Sequence, residues 1–346
     1  DLARAAALVA FVVLWQATSE PGAVGLIIIV VYLATGQAFF FPALQVFVPK
    51  LVKEPRLRVA TNGLFDSTER FSRLAGPALV GLLAGVLPVV HFFTLDAATF
   101  LASALGVLGI GRIGADPRIT GAKRSRESLW AGIGRGLRAT RRDPVLRYSL
   151  SVAGLVYGTY YAVFFLAMPL VVARHAIKGI GAGTELGAYG LIIASYGSTN
   201  LLSTLIVSSR DMPLKPARSI FGGNLITGAG MCLMGLVGIL PFKPDHRLAA
   251  YCAASAFSAL GGPMKDVPLT TLRQMLVPAA DFGASMRATL IVSVIGLLIA
   301  MLLMPRLCNE IGPDAVVVVC GACWIGMGAI GLQRFAAHEI GVPAVT

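Results

Sequence analysis

The run Ala288–Pro305, ATLIVSVIGLLIAMLLMP, contains no charged residue and is long enough to cross the apolar core of a membrane as a helix. The whole chain of 346 residues has a matching composition, with 56% hydrophobic residues, 13% charged residues and a mean hydropathy of +0.77. Soluble proteins carry about 25% charged residues, so this chain cannot cover a water-facing surface. Its apolar runs are too long for the strands of a membrane barrel, so the sequence predicts an all-α polytopic membrane protein.

Ten apolar runs are predicted to span the membrane, and several short joins between them make neighbouring spans antiparallel. The predicted spans are Ala5–Thr18, Ala23–Val48, Val59–Pro88, Val89–Ile110, Tyr148–Val172, Leu186–Ser209, Ser219–Leu240, Ala249–Thr271, Ala288–Pro305 and Ala315–Leu332. Most of the 29 Lys and Arg residues lie at one side of these spans. Because positively charged loops stay in the cytoplasm, both chain ends are predicted to be cytoplasmic.

The basic segment 112–147 holds much of the net charge of +12 and divides the predicted spans into four and six. Its second part predicts an amphipathic helix, because Leu129, Ile133 and Leu137 recur at four-residue intervals among arginines. We expect this helix to lie on the inner membrane face and to contact anionic lipids. Nucleic-acid binding is the alternative, but membrane topology alone explains a short basic helix between spans, so no nucleic-acid partner is expected.

The predicted organisation has three parts, which are a partial N-terminal bundle (1–111), a cytoplasmic linker (112–147) and a C-terminal six-span bundle (148–346). Residues 36–60 and 261–288 are weakly similar to each other and lie six spans apart. Membrane transporters are often built from two repeated halves. A first half of six spans would need two more helices before Asp1, so we expect ten of twelve spans to be present.

Residues 72–81, in the third predicted span, read SRLAGPALVG. This stretch resembles the antiporter motif of the major facilitator superfamily: Gly76, Pro77 and Gly81 match the motif, and a serine and a valine replace two of its glycines. The flanking sequence and the linker residues 134–147 are similar to the bacterial exporter branch that includes macrolide-efflux and siderophore (enterobactin-type) exporters. Plain packing of helices against small residues is the alternative explanation of the motif.

This resemblance implies a major facilitator fold of two helix bundles in the bacterial cytoplasmic (inner) membrane. It implies a monomeric secondary active transporter that exports small hydrophobic or amphipathic compounds, either drugs or siderophores, by alternating access coupled to protons. The alternatives are a superfamily importer of a small solute and a truncated membrane protein that does not transport. Drug/proton antiporters often carry an arginine on their fourth helix, but the matching span Ala23–Val48 has no charge, so coupling through that arginine is not expected.

The sequence predicts neither an enzyme nor a cofactor. The chain has four histidines, which lie far apart, and five cysteines. The pair Cys320 and Cys323 lies inside an apolar span without further candidate ligands, so a metal site is not expected. No phosphate-binding loop, haem motif or catalytic triad is visible in the sequence.

Four charged residues inside the third predicted span are the candidates for proton coupling. They are Asp66, Glu69, Arg70 and Arg73, of which Asp66, Arg70 and Arg73 share one helix face. A charge inside a membrane span costs roughly 2.5–3.5 kcal/mol on insertion scales and therefore needs a reason. Carboxyl groups hold their proton more tightly when desolvated and less tightly beside arginine, so alternating exposure would load and unload such a site. The alternative is a structural ion-pair cluster that fixes this helix to its neighbours.

Nine further residues are candidates for the lining of a substrate cavity, because they place aromatic, polar or charged side chains in otherwise apolar spans. They are Gln37, Phe40, Tyr157, Tyr161, Phe165, Tyr196, Asn200, Lys265 and Asp266. An aromatic cavity suits bulky amphipathic or cationic compounds. The alternatives are aromatic residues at the membrane interface and, for Lys265 and Asp266, an ion pair at the cytoplasmic end of a span.

Overall fold

The computed structural model of this chain is predominantly helical, and no β-strand occurs among the residues that it describes. The described residues are 1–18, 22–51, 68, 71–72, 75–76, 79–80, 83, 86–114, 129–179, 184–209 and 215–337. The third predicted span, Val59–Pro88, therefore lies largely outside the described residues.

The structure describes eleven α-helices and one π-helical segment in chain order among these residues. They are α1 (Leu2–Thr18), α2 (Ala23–Leu51), α3 (Val90–Gly114), α4 (Leu129–Thr140), α5 (Pro144–Tyr161), a π-helical segment (Ala162–Ala167), α6 (Met168–Arg174), α7 (Glu185–Ser208), α8 (Pro216–Ile239), α9 (Pro244–Leu276), α10 (Ala279–Ile311) and α11 (Pro313–Phe335). Every predicted span except the third overlaps one of these helices, which confirms the all-α class.

Six helical stretches in the described residues are long and apolar enough to cross a membrane. They are Val90–Gly109, Pro144–Arg174, Glu185–Ser208, Pro216–Ile239, Asp281–Ile311 and Pro313–Phe335. The helix α1 and the first part of α2 (Ala23–Gln37) are apolar but shorter, and α9 carries Lys265 and Asp266 in its interior. The expectation of ten spans out of twelve therefore stays a prediction.

The chain forms two compact units, and the smaller one consists of residues 1–70 and 83–125. In this unit α1 packs along α3 through a small apolar core around Leu8 and Ala97. The ring of Phe11 contacts the rings of Trp15 and Phe93, with centroid distances of 5.8 and 5.1 Å. Edge-to-face aromatic pairs of this kind stabilise the contact beyond the burial of their apolar area.

The larger unit consists of residues 71–82 and 126–346, and glycines bring its helices into backbone contact. A Cβ atom added at Gly158 of α5 would lie 2.5 Å from the carbonyl oxygen of Gly296 in α10. A Cβ atom at Gly228 of α8 would lie 2.6 Å from the carbonyl oxygen of Gly321 in α11. Small residues allow such close approach in membrane helices, where packing replaces the hydrophobic effect as the main attraction.

The predicted linker helix corresponds to α4, and its described residues contact the start of α10. Thr140 and Ser285 of α10 share a hydrogen bond of 2.6 Å, and Arg135 lies 3.3 Å from the carboxylate of Asp281. Ile133 and Leu137 are only half-buried. Small residues on α4 therefore fix the helix to the start of α10, and its contact with lipid stays a prediction.

Candidate functional site

A polar cavity of about 200 Å³ lies within the larger unit, between α5, α8, α9 and α10. Its polar lining residues are Ser149 and Tyr157 from α5, Asn224 from α8, Lys265, Asp266, Thr270 and Arg273 from α9, and Thr289 and Ser293 from α10. Polar and charged side chains are rare inside membrane helices and usually face the interior of the bundle. The cavity is therefore the candidate functional site of the larger unit.

Lys265 is the central charged residue of this cavity. Its Nζ lies 3.2 Å from the carboxylate of Asp266 and 4.9 Å from the centre of the Trp324 ring. The Lys265 side chain is 15% exposed, whereas that of Asp266 is 63% exposed. The Trp324 ring is held in turn by a hydrogen bond of 2.9 Å from its Nε1 to the hydroxyl of Thr159. A mostly buried ammonium group is thus stabilised by one carboxylate and by the face of a fixed aromatic ring.

The local sequence of α9 explains how these side chains reach the cavity. Pro263 and Pro268 lie inside the helix on either side of Lys265 and Asp266. Each proline removes a backbone donor and loosens the helix locally. Gly261 also allows the backbone of α8 to approach closely at Gly223. The turn of α9 that carries Lys265 and Asp266 therefore packs against α8 in the region where the two prolines lack backbone hydrogen-bond donors.

Three buried polar groups at the cavity have no hydrogen-bond partner among the described residues. They are the hydroxyl of Ser149, Oδ1 of Asn224 and Nε of Arg273. Each side chain belongs to a residue that is less than 9% exposed. A buried polar group without a partner costs roughly 1–3 kcal/mol, so three at one cavity are unlike a core optimised only for stability.

An aromatic face leads away from the cavity along α5 and the π-helical segment. The ring centroids of Tyr157 and Tyr161 are 4.7 Å apart, and their hydroxyls are separated by 3.4 Å. Tyr161 stacks on Phe165 with a centroid distance of 5.2 Å, and Phe165 is exposed. Of these three predicted residues, Tyr157 lines the cavity and the other two extend the same aromatic surface. Segments of π-helix are often found at functional sites.

Tyr196 and Asn200 of α7 are not among the residues that line this cavity. The ring of Tyr196 packs against Phe164, with a centroid distance of 4.6 Å, and Asn200 donates a hydrogen bond of 3.3 Å to the carbonyl of Ala259. A Cβ atom added at Gly262 would lie 2.9 Å from Nδ2 of Asn200. The structure places both residues at the contact between α7 and α9, so their role in a cavity stays a prediction.

Gln37 and Phe40 lie in the smaller unit, where both contact Arg4. Arg4 donates a hydrogen bond of 3.1 Å to Oε1 of Gln37, and its guanidinium lies 5.3 Å from the Phe40 ring centre. Arg4 is 4% exposed and is also 3.5 Å from the carboxylate of Asp1. Arg4, Asp1 and Phe40 line a separate pocket of about 440 Å³. We did not single out Arg4 from the sequence, although it directly precedes the first predicted span.

The predicted proton-coupling residues lie outside the described residues. These residues are Asp66, Glu69, Arg70 and Arg73. Of the antiporter-like motif, Gly76 is described and is helical, whereas Pro77 and Gly81 are outside the described residues. The proposed roles of these residues therefore stay predictions.

Asn224, Arg273 and Ser149 are cavity residues that the sequence reasoning missed. Asn224, like Asn200, is an amide side chain in an apolar span, and this feature could have identified it from the sequence. Arg273 lies just beyond the predicted span Ala249–Thr271, where a basic residue is expected at the membrane surface, but it is only 6% exposed. Within the described ranges, no group of three or more His, Cys, Asp or Glu side chains is arranged to hold a metal ion.

Comparison with known proteins identifies the family of this chain. The family model described as Major Facilitator Superfamily matches residues 2–286. An uncharacterized MFS-type transporter of Bacillus subtilis (strain 168), YfiS, is 27% identical over 308 residues, which cover 85% of this chain and 68% of that protein. The crystal structure of a POT family transporter in complex with 5-aminolevulinic acid has a similar fold, with a TM-score of 0.64 and 14% identity over 97% of this chain and 81% of that chain. Because the family match extends over more than half of its length, the chain belongs to the major facilitator superfamily and is a membrane transporter, not an enzyme.

Proposed function

We propose that this protein is a secondary active transporter that exports small amphipathic compounds, such as drugs or siderophores, in exchange for protons. The observation that carries the proposal is the position of Tyr157, which lines the same cavity as Lys265 and Asp266. The same cavity is thus lined by charged side chains and by the first residue of an aromatic surface. Membership of the superfamily supports a small-molecule substrate and a place in the bacterial inner membrane.

The chemistry of the cavity favours a cargo with an anionic or dipolar end. Lys265 and Arg273 carry positive charges, while Asp266 carries the negative charge of the described lining. Ser149 and Asn224 also line the cavity and place a hydroxyl and an amide side chain at the same end of the molecule.

The size of the cavity limits how much of the cargo it receives. Ligand pockets commonly enclose about 300–1,000 Å³, which is more than the 200 Å³ of this cavity. The cavity therefore accommodates one end of the cargo, and the apolar remainder contacts the aromatic surface of Tyr161 and Phe165.

The direction of transport and the coupling to protons rest on the sequence. Export is supported by the antiporter-like motif around Gly76, and coupling by the acidic residues Asp66 and Glu69 in the same predicted span. We propose that the protein acts as a monomer surrounded by lipid, with both chain ends in the cytoplasm. An importer would use the same cavity with the opposite direction of flux.

Flux of a fluorescent anionic amphipathic dye in oriented membrane vesicles tests this function. The full chain is expressed, and everted vesicles are given an acidic interior. We expect dye to accumulate inside these vesicles, and we expect an ionophore that collapses the proton gradient to abolish the accumulation. Accumulation only in right-side-out vesicles with an acidic exterior would identify an importer. Absence of flux in both orientations would contradict transport by this chain.

A further inference from the structure

A second group of charged side chains lies in the larger unit, where α6 ends and α9 and α11 begin. Asp314, in the first turn of α11, is 5% exposed. Nε2 of His175 lies 3.1 Å from both of its carboxylate oxygens, and the hydroxyl of Tyr251 donates to Oδ1 at 3.4 Å. Nη1 of Arg174 lies 3.8 Å from Oδ2. We call these residues, together with Arg247, the His175 cluster.

The His175 cluster is separate from the polar cavity. Asp314 and Trp324 are ten residues apart on α11, which corresponds to about 15 Å along a helix. Arg247 and Lys265 are eighteen residues apart on α9, which corresponds to about 27 Å. The two sites share these helices but no described side-chain contact.

The geometry of the His175 cluster fixes the protonation of the imidazole ring. Nη1 of Arg247 lies 3.3 Å from Nδ1 of His175. A guanidinium group has only hydrogen-bond donors, so Nδ1 must accept and therefore carries no proton. The proton of the ring is then on Nε2, which donates it to Asp314. The observed arrangement is that of a neutral His175, held between a donor on one side and an acceptor on the other.

Protonation of His175 is incompatible with the contact to Arg247. A proton on Nδ1 removes the acceptor and places a second positive charge beside the guanidinium at the observed separation of 3.3 Å. The contact to Asp314 is strengthened at the same time, because it becomes charge-assisted. The other described hydrogen bond of the Arg247 side chain is from Nη2 to the carbonyl of Phe242, and its Nε has no partner among the described residues.

The other charged and polar groups around His175 contact Asp314 or are exposed, so protonation of the ring breaks only its contact with Arg247. Arg174 and Tyr251 both contact Asp314, and α8 contributes Gly238, where no side chain fits beside that carboxylate. Glu185, in the first turn of α7, and Lys178 are exposed. The cluster therefore joins α9 to the end of α6 in two ways, indirectly through Tyr251 and Asp314 and directly through the hydrogen bond of Arg247 to His175. Only the direct bond requires a neutral His175.

We propose that His175 is a proton-binding switch, in which a proton taken up from water at Nδ1 expels Arg247 and releases the start of α9 from the end of α6. No other bond forms or breaks, and His175 stays paired with Asp314. Because α9 also carries Lys265 and Arg273, its release links proton binding to the cavity. The consequence for transport rests on the proposed function, but the switch itself does not.

Nuclear magnetic resonance of the full chain labelled with ¹⁵N-histidine tests proton binding directly. The chain has four histidines, so the His175 signals are assigned from the variant His175→Asn. At alkaline pH we expect a proton on Nε2 and none on Nδ1. At acidic pH we expect a proton on both nitrogens. A ring that carries its proton on Nδ1 at high pH, or that does not titrate, would overturn the proposal.

Hydrogen–deuterium exchange over residues 242–251, corrected for the intrinsic effect of pH on exchange, tests the release of α9. We expect exchange in the wild-type protein to accelerate at least tenfold on acidification. In His175→Asn the acceleration should be absent, and in Arg247→Gln exchange should be fast at every pH. The matched control is His246→Asn, which removes an exposed histidine of the same helix and should behave as wild type. An acceleration that persists in His175→Asn contradicts the switch. Neither measurement requires cargo or flux, so a failure of the switch is distinct from a failure of the proposed transport.

Discussion

Lys265 and Trp324 form a cation–π pair across two helices, with Nζ of the lysine 4.9 Å from the centre of the indole ring. The two residues are far apart in sequence, and α11 brings the ring to the side chain that α9 presents. Such pairs contribute about 2 kcal/mol or more when they are desolvated. The ring therefore holds the lysine side chain in place at the cavity.

Removing the charge of Lys265 should weaken the binding of anionic cargo selectively. Lys265→Met keeps the apolar stem on Trp324 but removes the ammonium group. We expect the dissociation constant of an anionic amphipathic dye to rise about tenfold or more, because hydrogen bonds to charged groups contribute about 1.5–3 kcal/mol. A neutral analogue of the dye should bind about as well as before. Lys178→Met, which removes an exposed lysine, is the control. Equal weakening for both dyes would contradict a charge-specific role.

Replacing Asn224 should raise the thermal stability of the protein and weaken its binding of cargo. Asn224 is 2% exposed and its Oδ1 has no described partner, so Asn224→Leu removes a buried group that costs roughly 1–3 kcal/mol. We expect the thermal midpoint in detergent to rise by a few degrees and dye binding to weaken. The control Asn200→Leu loses the hydrogen bond to Ala259 and should lower the midpoint. A lower midpoint in Asn224→Leu would show that the amide is satisfied in the folded protein.

Two glycines of α8 should respond in opposite ways to the same substitution. A Cβ atom at Gly228 would lie 2.6 Å from the carbonyl oxygen of Gly321, which is backbone and cannot give way easily. Gly228→Ala should therefore lower the free energy of unfolding by about 1–3 kcal/mol. Gly222 has nothing within 4 Å of such an atom, so Gly222→Ala should be neutral or stabilising by up to about 1 kcal/mol. Thermal unfolding of both variants is compared with that of the wild type. A loss of stability in Gly228→Ala alone indicates close helix packing, whereas an equal loss in both would indicate a general effect of the added methyl group.

Neutralising the acidic residues of the third predicted span should uncouple transport from protons. If Asp66 or Glu69 carries the coupled proton, Asp66→Asn or Glu69→Gln should abolish dye export driven by a pH gradient, because an amide cannot exchange the proton. Membrane insertion, measured from the amount of protein in the vesicle fraction, should be unchanged. Full export in both variants would rule out this coupling hypothesis.

The helices could be predicted from the sequence because a long apolar run by itself indicates a helix that lies in the membrane. The charged pair of Lys265 and Asp266 was also predictable, since a charge in such a run needs a reason. The partner of Lys265 was not predictable, because Trp324 reaches it only through the packing of both α9 and α11 against α8. Nothing in a single sequence specifies which residues of two distant helices will face each other.

The linker helix α4 illustrates a different limit. Its spacing of Leu129, Ile133 and Leu137 indicated an amphipathic helix, and a helix is present at those positions. Its tight contact with α10 is made by Gly136 and Thr140, which a hydrophobic pattern does not mark. Small residues stabilise such a contact by letting the two backbones approach closely, and a hydrophobicity pattern does not identify them.

The π-helical segment Ala162–Ala167 has a consequence for the direction of the side chains that follow it. A π-bulge lengthens one turn by a residue, and each residue of an α-helix corresponds to a rotation of about 100°. The register of α6 is thus offset from that of α5, although the two form one continuous rod. Tyr157 before the offset faces the cavity, and His175 after it faces Asp314. Deleting a single residue between Ala162 and Ala167 would leave the rod intact but turn His175 away from its carboxylate.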